Sequence, residues 1–503
     1  MQRFIAYTQA NWLETGLLMR WAIAIAAGVF YGVGGLVGVM RIGSGSMMDS
    51  AIFFGVLFMP IALIVIGQPL RRWLLVVVVA DLAIQYDINL AFVQDISEMG
   101  SIGGFIISLT SFSLIGLYAL WLLELLITRE KTATRPTFKY ALPAFGFIGA
   151  GMLSIFTATN TQATLFELAL LAQMLLLFAY ISGTVRTRND VIFLLVVMLG
   201  VMVFEGLYLL WQRFGPSYAG IRAYRGTDGV YSVRVDGHFK SPNLAGAFFS
   251  FFLVPALAFL MLRVHRYWRL FAIFAFAVGG LGIFLTLSRG AWVALAVSTS
   301  VFIFFMVLRG WISLSAPMML SIAVLVLMLL FPELLLERLF GDDGGAAEGR
   351  NPLNIIAMSM VDSSPLTGIG LNNFATVLPD FTPLDFANNW LYTVHNKYLL
   401  VLSETGGLGL MAFLTFMFMN LWRAWRVWQV GDRFYATIAL ALFAVICGHM
   451  FHMWVDVFNG RPPVQGLWLL AGLIAALYAM VVHGEELDED GNRIRWPATT
   501  GNR

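Results

Sequence analysis

The stretch HNKYLLVLSETGGLGLMAFLTFMFM, residues 395–419, sets a histidine and an asparagine directly in front of a long apolar run. A polar loop, roughly residues 333–397, precedes that run and is the longest segment of the chain without hydrophobic character. A helix needs about 20 predominantly apolar residues to cross the hydrocarbon core of a membrane. The run behind Asn396 therefore predicts a membrane-spanning helix, with His395 at the membrane surface beneath a long loop.

The composition of the whole chain indicates a membrane protein. Its 503 residues are 59% hydrophobic and 12% charged, with a mean hydropathy of +0.80, whereas soluble domains carry about 25% charged residues. The single cysteine, Cys447, excludes a disulfide framework. We expect an all-α polytopic membrane protein of about 12–14 transmembrane helices, with one long loop that contains short helices. Candidate spans lie at residues 17–40, 50–67, 73–92, 105–127, 139–159, 163–183, 190–211, 244–263, 268–287, 290–308, 314–332, 398–422, 434–456 and 464–482.

The distribution of lysine and arginine predicts the orientation of these spans. Basic residues gather in the short loops on one side, and the short loops 93–104 and 160–162 on the other side carry none. Because cytoplasmic loops are enriched in Lys and Arg, both termini are expected in the cytoplasm. The two long loops, about 212–243 and 333–397, then fall outside. The predicted parts are an N-terminal transmembrane bundle (1–211), a catalytic membrane domain (212–482) and a cytoplasmic tail (483–503).

Three basic residues on the outer side stand at predicted helix N-termini. Lys240 precedes a helix that starts with Pro242, Arg289 stands at the start of another, and Arg350 precedes a short loop helix, about 352–362. A cation at a helix N-terminus is unfavourable by about 0.3–1 kcal/mol. A shared bound anion explains the repetition, since helix N-termini and arginine both bind phosphate. The alternative is that each residue extends to lipid headgroups or pairs with an acidic neighbour.

His395 is the candidate proton acceptor. At a helix N-terminus the charged imidazole is disfavoured, so the neutral form is available near pH 7. Asn396 is expected to cap the helix or to orient a substrate hydroxyl. The glycines that follow, Gly406, Gly407 and Gly409, are expected to allow close helix packing. An interfacial histidine bonded to a carbonyl is the alternative interpretation for His395.

Other polar residues are candidates for substrate contact. His449, His452 and Asp456 are spaced i, i+3 and i+7, on one face of a predicted helix. Their residue types allow a metal site, but a polar face lining a cavity is favoured, because intramembrane ionisable groups usually face one. We therefore predict no metal and no cofactor. His238 and Asn243, which flank Lys240, are further candidates for substrate binding.

Five motifs in order resemble the O-antigen ligase and polymerase superfamily over roughly residues 234–468. They are GHF with SPN (237–243), LSRGAW (287–292), GR (349–350), SPLTGIG (364–370) and H-N-x9-G-x-x-G (395–409). The R-x3-L pattern of that family is met by Arg289 with Val293 in place of leucine. The resemblance implies a GT-C type glycosyltransferase of the bacterial inner membrane, with an undecaprenyl-pyrophosphate-linked glycan as donor. It also implies that Arg289 and Arg350 hold the pyrophosphate, that His395 is essential, and that transfer at the periplasmic face is metal-independent and inverting.

Several functions remain compatible with these motifs. We rank first a ligase that transfers the glycan to lipid A–core, and second an O-antigen or exopolysaccharide polymerase that uses the same donor. A protein O-glycosyltransferase is a third variant. A transporter or flippase of lipid-linked sugars belongs to another class, but its usual internal repeats are not evident in the sequence. The expected partners are the lipid-linked oligosaccharide or polysaccharide donor, a glycan or glycolipid acceptor and membrane lipids, and no nucleic acid.

Overall fold

The computed structural model describes residues 70–128, 134–215, 223–225, 231–313, 315, 350–383, 392–488 and 493–494. The predicted spans 17–40 and 50–67, and all but one residue of 314–332, lie outside the described residues. The chain divides into two units, Met1–Asp81 with Ile107–Arg135, and Leu82–Ile106 with Pro136–Arg503. The predicted division at residues 211 and 482 stays a prediction.

The described elements are almost entirely helical, as expected. In chain order the helices are α1 (Leu70–Ile84), α2 (Gln94–Glu98), α3 (Leu109–Thr128), α4 (Leu142–Leu153), α5 (Thr161–Thr184), α6 (Arg188–Phe214), α7 (Pro242–Leu260), α8 (Arg266–Leu285), α9 (Arg289–Leu308), α10 (Arg350–Ser363), α11 (Phe374–Phe381), α12 (Lys397–Val430), α13 (Arg433–His452) and α14 (Arg461–Val482). The strands are β1 (Asp87–Leu90), β2 (Phe105–Ser108), β3 (Ala223–Arg225) and β4 (Tyr231–Val233), and β3 pairs antiparallel with β4, Ala223 opposite Val233.

Eight of the described helices are long and apolar enough to cross a membrane: α5 to α9 and α12 to α14. Two shorter apolar stretches, Leu109–Leu122 within α3 and Leu142–Phe156 at α4, contain parts of the predicted spans 105–127 and 139–159. The predicted span 73–92 is wrong at its C-terminal end. Helix α1 stops at Ile84 because Gln85 turns into the left-handed region (φ 52°) and β1 follows.

Helix α1 of the first unit buries a carboxylate, as its position in an apolar run suggests. Asp81 accepts hydrogen bonds from the backbone N–H (2.9 Å) and the hydroxyl (2.8 Å) of Thr110, at the start of α3. A buried carboxylate is costly unless such donors satisfy it. The bonds therefore fix the first turn of α3 against α1.

Side-chain caps begin most of the long helices at the residues where the apolar runs start. The Asn160, Ser288 and Asp432 side chains accept backbone N–H groups at the starts of α5, α9 and α13. Asn396 accepts two, from Tyr398 (3.0 Å) and Leu399 (3.1 Å), so it is the cap that the sequence predicts. A cap of this kind stabilises a helix by about 0.5–2 kcal/mol.

The second unit is a packed helical bundle. Helix α12 packs against α4, α13 and α14, while α9 packs on α13, α14 on α5, and α8 on both α6 and α7. The loop helices α10 and α11 bury their own small core, in which Ile356, Met360, Phe374 and Leu378 pack against Leu400 of α12. Burying such a side chain contributes about 1.5–3 kcal/mol. The described part of the long loop is therefore folded onto the start of α12.

The loops predicted to share the outer side meet in the structure. Asn372 of the long loop donates to the carbonyls of Ile102 (2.8 Å) and Ala163 (2.9 Å), and accepts from the Ile102 N–H. The Thr393 N–H donates to the Met99 carbonyl at 2.9 Å. Loop 93–104, the start of α5 and the long loop therefore lie at one end of this unit.

The basic short loops meet in a separate group of contacts. Glu485, just after α14, pairs with Lys139 (2.9 Å) and Arg186 (3.3 Å). Arg188 at the start of α6 pairs with Asp432 at the start of α13. These contacts join the loops that the distribution of basic residues assigns to the cytoplasm.

Candidate functional site

The N-terminus of α9, which carries Arg289, is held by a polar network. Ser288 caps the helix, and its hydroxyl lies 3.1 Å from Asn243 Oδ1. Arg234 donates to the same Asn243 oxygen (3.1 Å) and to the carbonyl of Thr286 (3.0 Å). Arg289 is therefore the first helical residue of α9, as predicted, and Asn243 ties the start of α7 to it.

His238 lies in a 3-10 helix, Gly237–Phe239, that is anchored to α6. Its backbone N–H donates to Glu205 Oε1 (2.9 Å), and its Nδ1 lies 2.8 Å from Oε2 of the same residue. The ring stacks on Tyr208 at 4.1 Å and is 10% exposed. With Nδ1 engaged by a carboxylate, the second ring nitrogen is the atom available to a ligand. Lys240 follows in the left-handed region (φ 59°) and is exposed.

His395 lies just before the start of α12, close to two groups of opposite charge. Burial is the main reason that its pKa lies below the ordinary value. The Asp456 carboxylate raises this pKa and the Arg350 guanidinium lowers it. The imidazole is therefore neutral near pH 7, as the sequence predicts, although burial rather than the helix dipole is the leading cause. The ring of Tyr392 lies 5.5 Å away.

Asp456 connects two parts of the site. It is buried in the turn after α13, where its Oδ1 accepts the Val457 N–H at 2.8 Å. Burial raises the pKa of Tyr392, and the negative charge of Asp456 raises it further. The prediction that Asp456 continues the helical face of His449 and His452 is wrong. Helix α13 ends at His452 because the chain must turn back into α14.

His452 carries the connection to the start of α9. It is buried, and its Nε2 lies 2.8 Å from the position that a Cβ on Gly290 would take, next to Arg289. Asp456 is near enough to His452 to interact with it electrostatically. His452, Asp456, His395 and Arg350 thus form a series of neighbours, and His452 packs against Gly290, which follows Arg289 in the chain.

The helix that carries Arg350 starts earlier than predicted. The sequence suggests a helix of about 352–362 with Arg350 ahead of it, whereas α10 spans Arg350–Ser363. Arg350 is therefore part of the helix, and the helix remains close to His395 because Ile356 and Met360 are buried beside Leu400.

Two ionisable side chains near His395 are not predicted as part of the site from the sequence. Glu167 of α5 and Lys397 of α12 line a cavity together with His449. The available signal was Glu167 itself, since a carboxylate within an apolar run is expensive in a membrane. Within the described ranges, no cluster of three His, Cys, Asp or Glu side chains is arranged to hold a metal ion.

Residues 274–414 match a family model described as O-antigen ligase. The matched segment contains Arg289, Arg350, His395 and the glycine motif at 406–409, and it lies inside the region that carries the five motifs. No curated protein matches the chain. Over residues 274–414, the chain is therefore similar to the O-antigen ligase family, which supports the resemblance seen in the sequence.

Proposed function

We propose that this protein is a glycosyltransferase of the bacterial inner membrane and works as an O-antigen ligase. The donor is a glycan on undecaprenyl pyrophosphate, and the acceptor is a sugar hydroxyl of lipid A–core. The family match over residues 274–414 supports the reaction class. The eight apolar helices among the described residues support a membrane-bound donor. The proposed site faces the periplasm and uses no metal or other cofactor.

The observation that carries the proposal is the group around His395. A partly buried, neutral imidazole lies near Asp456 and Arg350, both close enough to shift its pKa. A neutral imidazole accepts a proton at pH 7, and a nearby carboxylate stabilises the imidazolium that forms. Arginine binds phosphate oxygens through two hydrogen bonds and neutralises charge on a departing diphosphate. A base beside an anion ligand is what displacement of a diphosphate by a hydroxyl requires.

In the proposed reaction His395 takes the proton of the acceptor hydroxyl. At the same time the hydroxyl oxygen attacks C1 of the donor sugar. The bond from C1 to the pyrophosphate oxygen breaks, and its electron pair leaves with undecaprenyl pyrophosphate. Arg289 and Arg350 neutralise the charge that develops on this leaving group. Attack and departure on opposite sides of C1 invert its configuration. The residues proposed to contact substrate are Lys240, His238, Asn243, Asn396, His452 and Asp456.

The test is transfer by the purified protein in nanodiscs, with undecaprenyl-pyrophosphate-linked glycan and lipid A–core supplied together and separately. The expected product is lipid A–core carrying the glycan, formed without any ion gradient. Elongation of the lipid-linked glycan in the absence of lipid A–core identifies a polymerase. Movement of intact donor across the bilayer without any new glycosidic bond identifies a flippase, and overturns the assignment as an enzyme.

A further inference from the structure

Three ionisable side chains are buried together behind the candidate base. Glu167 of α5 is 5% exposed, Glu404 of α12 is 2% exposed and Lys397 of α12 is 7% exposed. Glu167 and Lys397 line a cavity of about 30 Å³, which is room for a water molecule. Lys397 is within electrostatic range of both carboxyl groups, and these are within range of each other.

Water is expected to complete this cluster. In the described part of the chain, Lys397 comes within ion-pair distance of neither carboxyl group, although both are near it. Buried charges are stable only when partners or water satisfy them, and an ordered water bridges buried polar groups where a cavity leaves it space beside them. The Nδ1 atom of His449, which lines the same cavity, is also buried and makes no hydrogen bond. One ammonium group balances one carboxylate, so neutrality requires the other carboxyl group to carry a proton.

The cluster is attached to the first turns of α12. Lys397 directly follows Asn396, the cap of that helix, and its backbone N–H donates to the Met453 carbonyl at 2.9 Å. Glu404 lies about two helical turns after Lys397. Its Oε1 accepts the backbone N–H of Phe374, the first residue of α11, at 3.1 Å. The same cluster therefore reaches both the segment that begins with His395 and the folded loop above it.

We propose that Lys397 is a positioning residue for His395, held by a water-bridged cluster with Glu167 and Glu404. The ammonium group is drawn into the bundle, which orients the first turn of α12 so that His395 faces the substrate on the outer side. Either carboxylate alone is sufficient to balance Lys397. The inference rests on the proposed transferase function, and it adds the residues that place the base.

The test compares five variants that change the number of charged groups in the cluster. Glu167→Gln and Glu404→Gln each leave one carboxylate, and the glutamine at 404 still accepts the Phe374 N–H. Each single variant should keep kcat within about threefold, whereas the double variant should lose about tenfold or more at unchanged KM for the donor. Lys397→Met added to the double variant should restore kcat to within about threefold, because an apolar side chain replaces an unpaired charge. Lys397→Met alone should be impaired less than the double variant, since two carboxyl groups can both be protonated.

A second readout makes the result independent of transfer. Diethyl pyrocarbonate modifies neutral imidazoles, and mass spectrometry can follow the modification of His395 alone. The double variant should change the rate of His395 modification, and the added Lys397→Met should reverse the change. The proposal is overturned if the double variant has the wild-type kcat and the wild-type rate of His395 modification, even where its melting temperature is lower. If the wild-type protein transfers no glycan, the proposed function fails, while His395 modification still decides the role of the cluster.

Discussion

Gly368 and Gly406 face each other where the long loop meets the kink of α12. Both lie in the left-handed region, with φ of 70° and 65°. A Cβ on Gly368 would come within 2.2 Å of the carbonyl carbon of Glu404, and one on Gly406 within 2.2 Å of that of Leu366. The kink leaves the Glu404 carbonyl available to accept the Gly370 N–H at 3.0 Å. The two glycine motifs of the sequence are thus halves of one backbone contact.

Replacing either glycine with alanine should separate the loop from α12. A left-handed conformation costs a non-glycine residue about 1–3 kcal/mol, and the clash with backbone atoms adds to that. Gly406→Ala and Gly368→Ala should therefore lower the melting temperature and greatly reduce transfer. Gly407→Ala is the matched control, since its added Cβ would lie 3.5 Å from the Pro365 carbonyl oxygen. Equal stability of the Gly406 and Gly407 variants in nanodiscs would contradict the contact.

Arg289 and Arg350 should determine donor affinity. Removing either guanidinium should cost about 1.5–3 kcal/mol of charge-assisted hydrogen bonding, which is about tenfold to a hundredfold in transfer. Lysine should rescue only in part, because it lacks the planar fork that binds two phosphate oxygens. Transfer kinetics over a range of donor concentrations measure the effect. Arg266→Ala is the control, since Arg266 is expected on the cytoplasmic side of the membrane. Full activity of Arg350→Ala would show that Arg350 does not bind the donor. If EDTA abolished activity and a divalent ion restored it, a metal ion rather than arginine would stabilise the leaving diphosphate.

The acid limb of the pH profile should report the neighbours of His395. Its pKa is lowered, so the neutral base persists below the ordinary value and transfer is lost as pH falls through the lowered pKa. Arg350 lowers this pKa, so Arg350→Ala should move the acid limb to higher pH. Asp456 raises it, so Asp456→Asn should move the limb to lower pH. Shifts of both variants in the same direction would falsify the assignment of these two neighbours.

Donor binding should shift the same limb. A diphosphate on Arg350 offsets the positive charge that lowers the pKa of His395. The acid limb of kcat, which reports the donor complex, should therefore lie at higher pH than that of kcat/KM for the donor. His395 would become a stronger base only when the leaving group is in place.

Local sequence patterns predict where the helices of this chain lie, but they predict its tertiary contacts less well. The apolar runs and their caps are adjacent in sequence, so the starts of α9 at Arg289 and of α12 behind Asn396 follow from them. The proximity of Glu167 to Lys397 depends on how α5, α12 and α14 pack, which no local pattern encodes. The same holds for Gly406. Its neighbour Leu366 comes from a distant loop, so a motif that suggests helix packing serves a backbone contact instead.

The orientation of the membrane domain is open to a direct test. In a Cys447→Ala background, a cysteine at exposed Asp380 of the long loop should react with an impermeant maleimide in cells whose outer membrane alone is opened. A cysteine at exposed Arg266, at the start of α8, should react only after the inner membrane is also opened. The expectation rests on the enrichment of Lys and Arg in cytoplasmic loops. The reverse pattern would place the candidate site in the cytoplasm and remove the proposed periplasmic reaction.

Substitution of His395 should separate chemistry from positioning. His395→Ala should reduce transfer by about 10²–10⁴ if base catalysis is the main contribution, while donor binding persists because Arg289 and Arg350 remain. His395→Gln keeps a hydrogen-bond acceptor but cannot take the proton. If His395 is the base, both variants should be inactive with labelled donor, and both should still bind it. An active glutamine variant would mean that His395 only orients the acceptor and that solvent or another group takes the proton. Loss of donor binding in either variant would instead assign His395 to the diphosphate, beside Arg350, and leave the base to be found elsewhere.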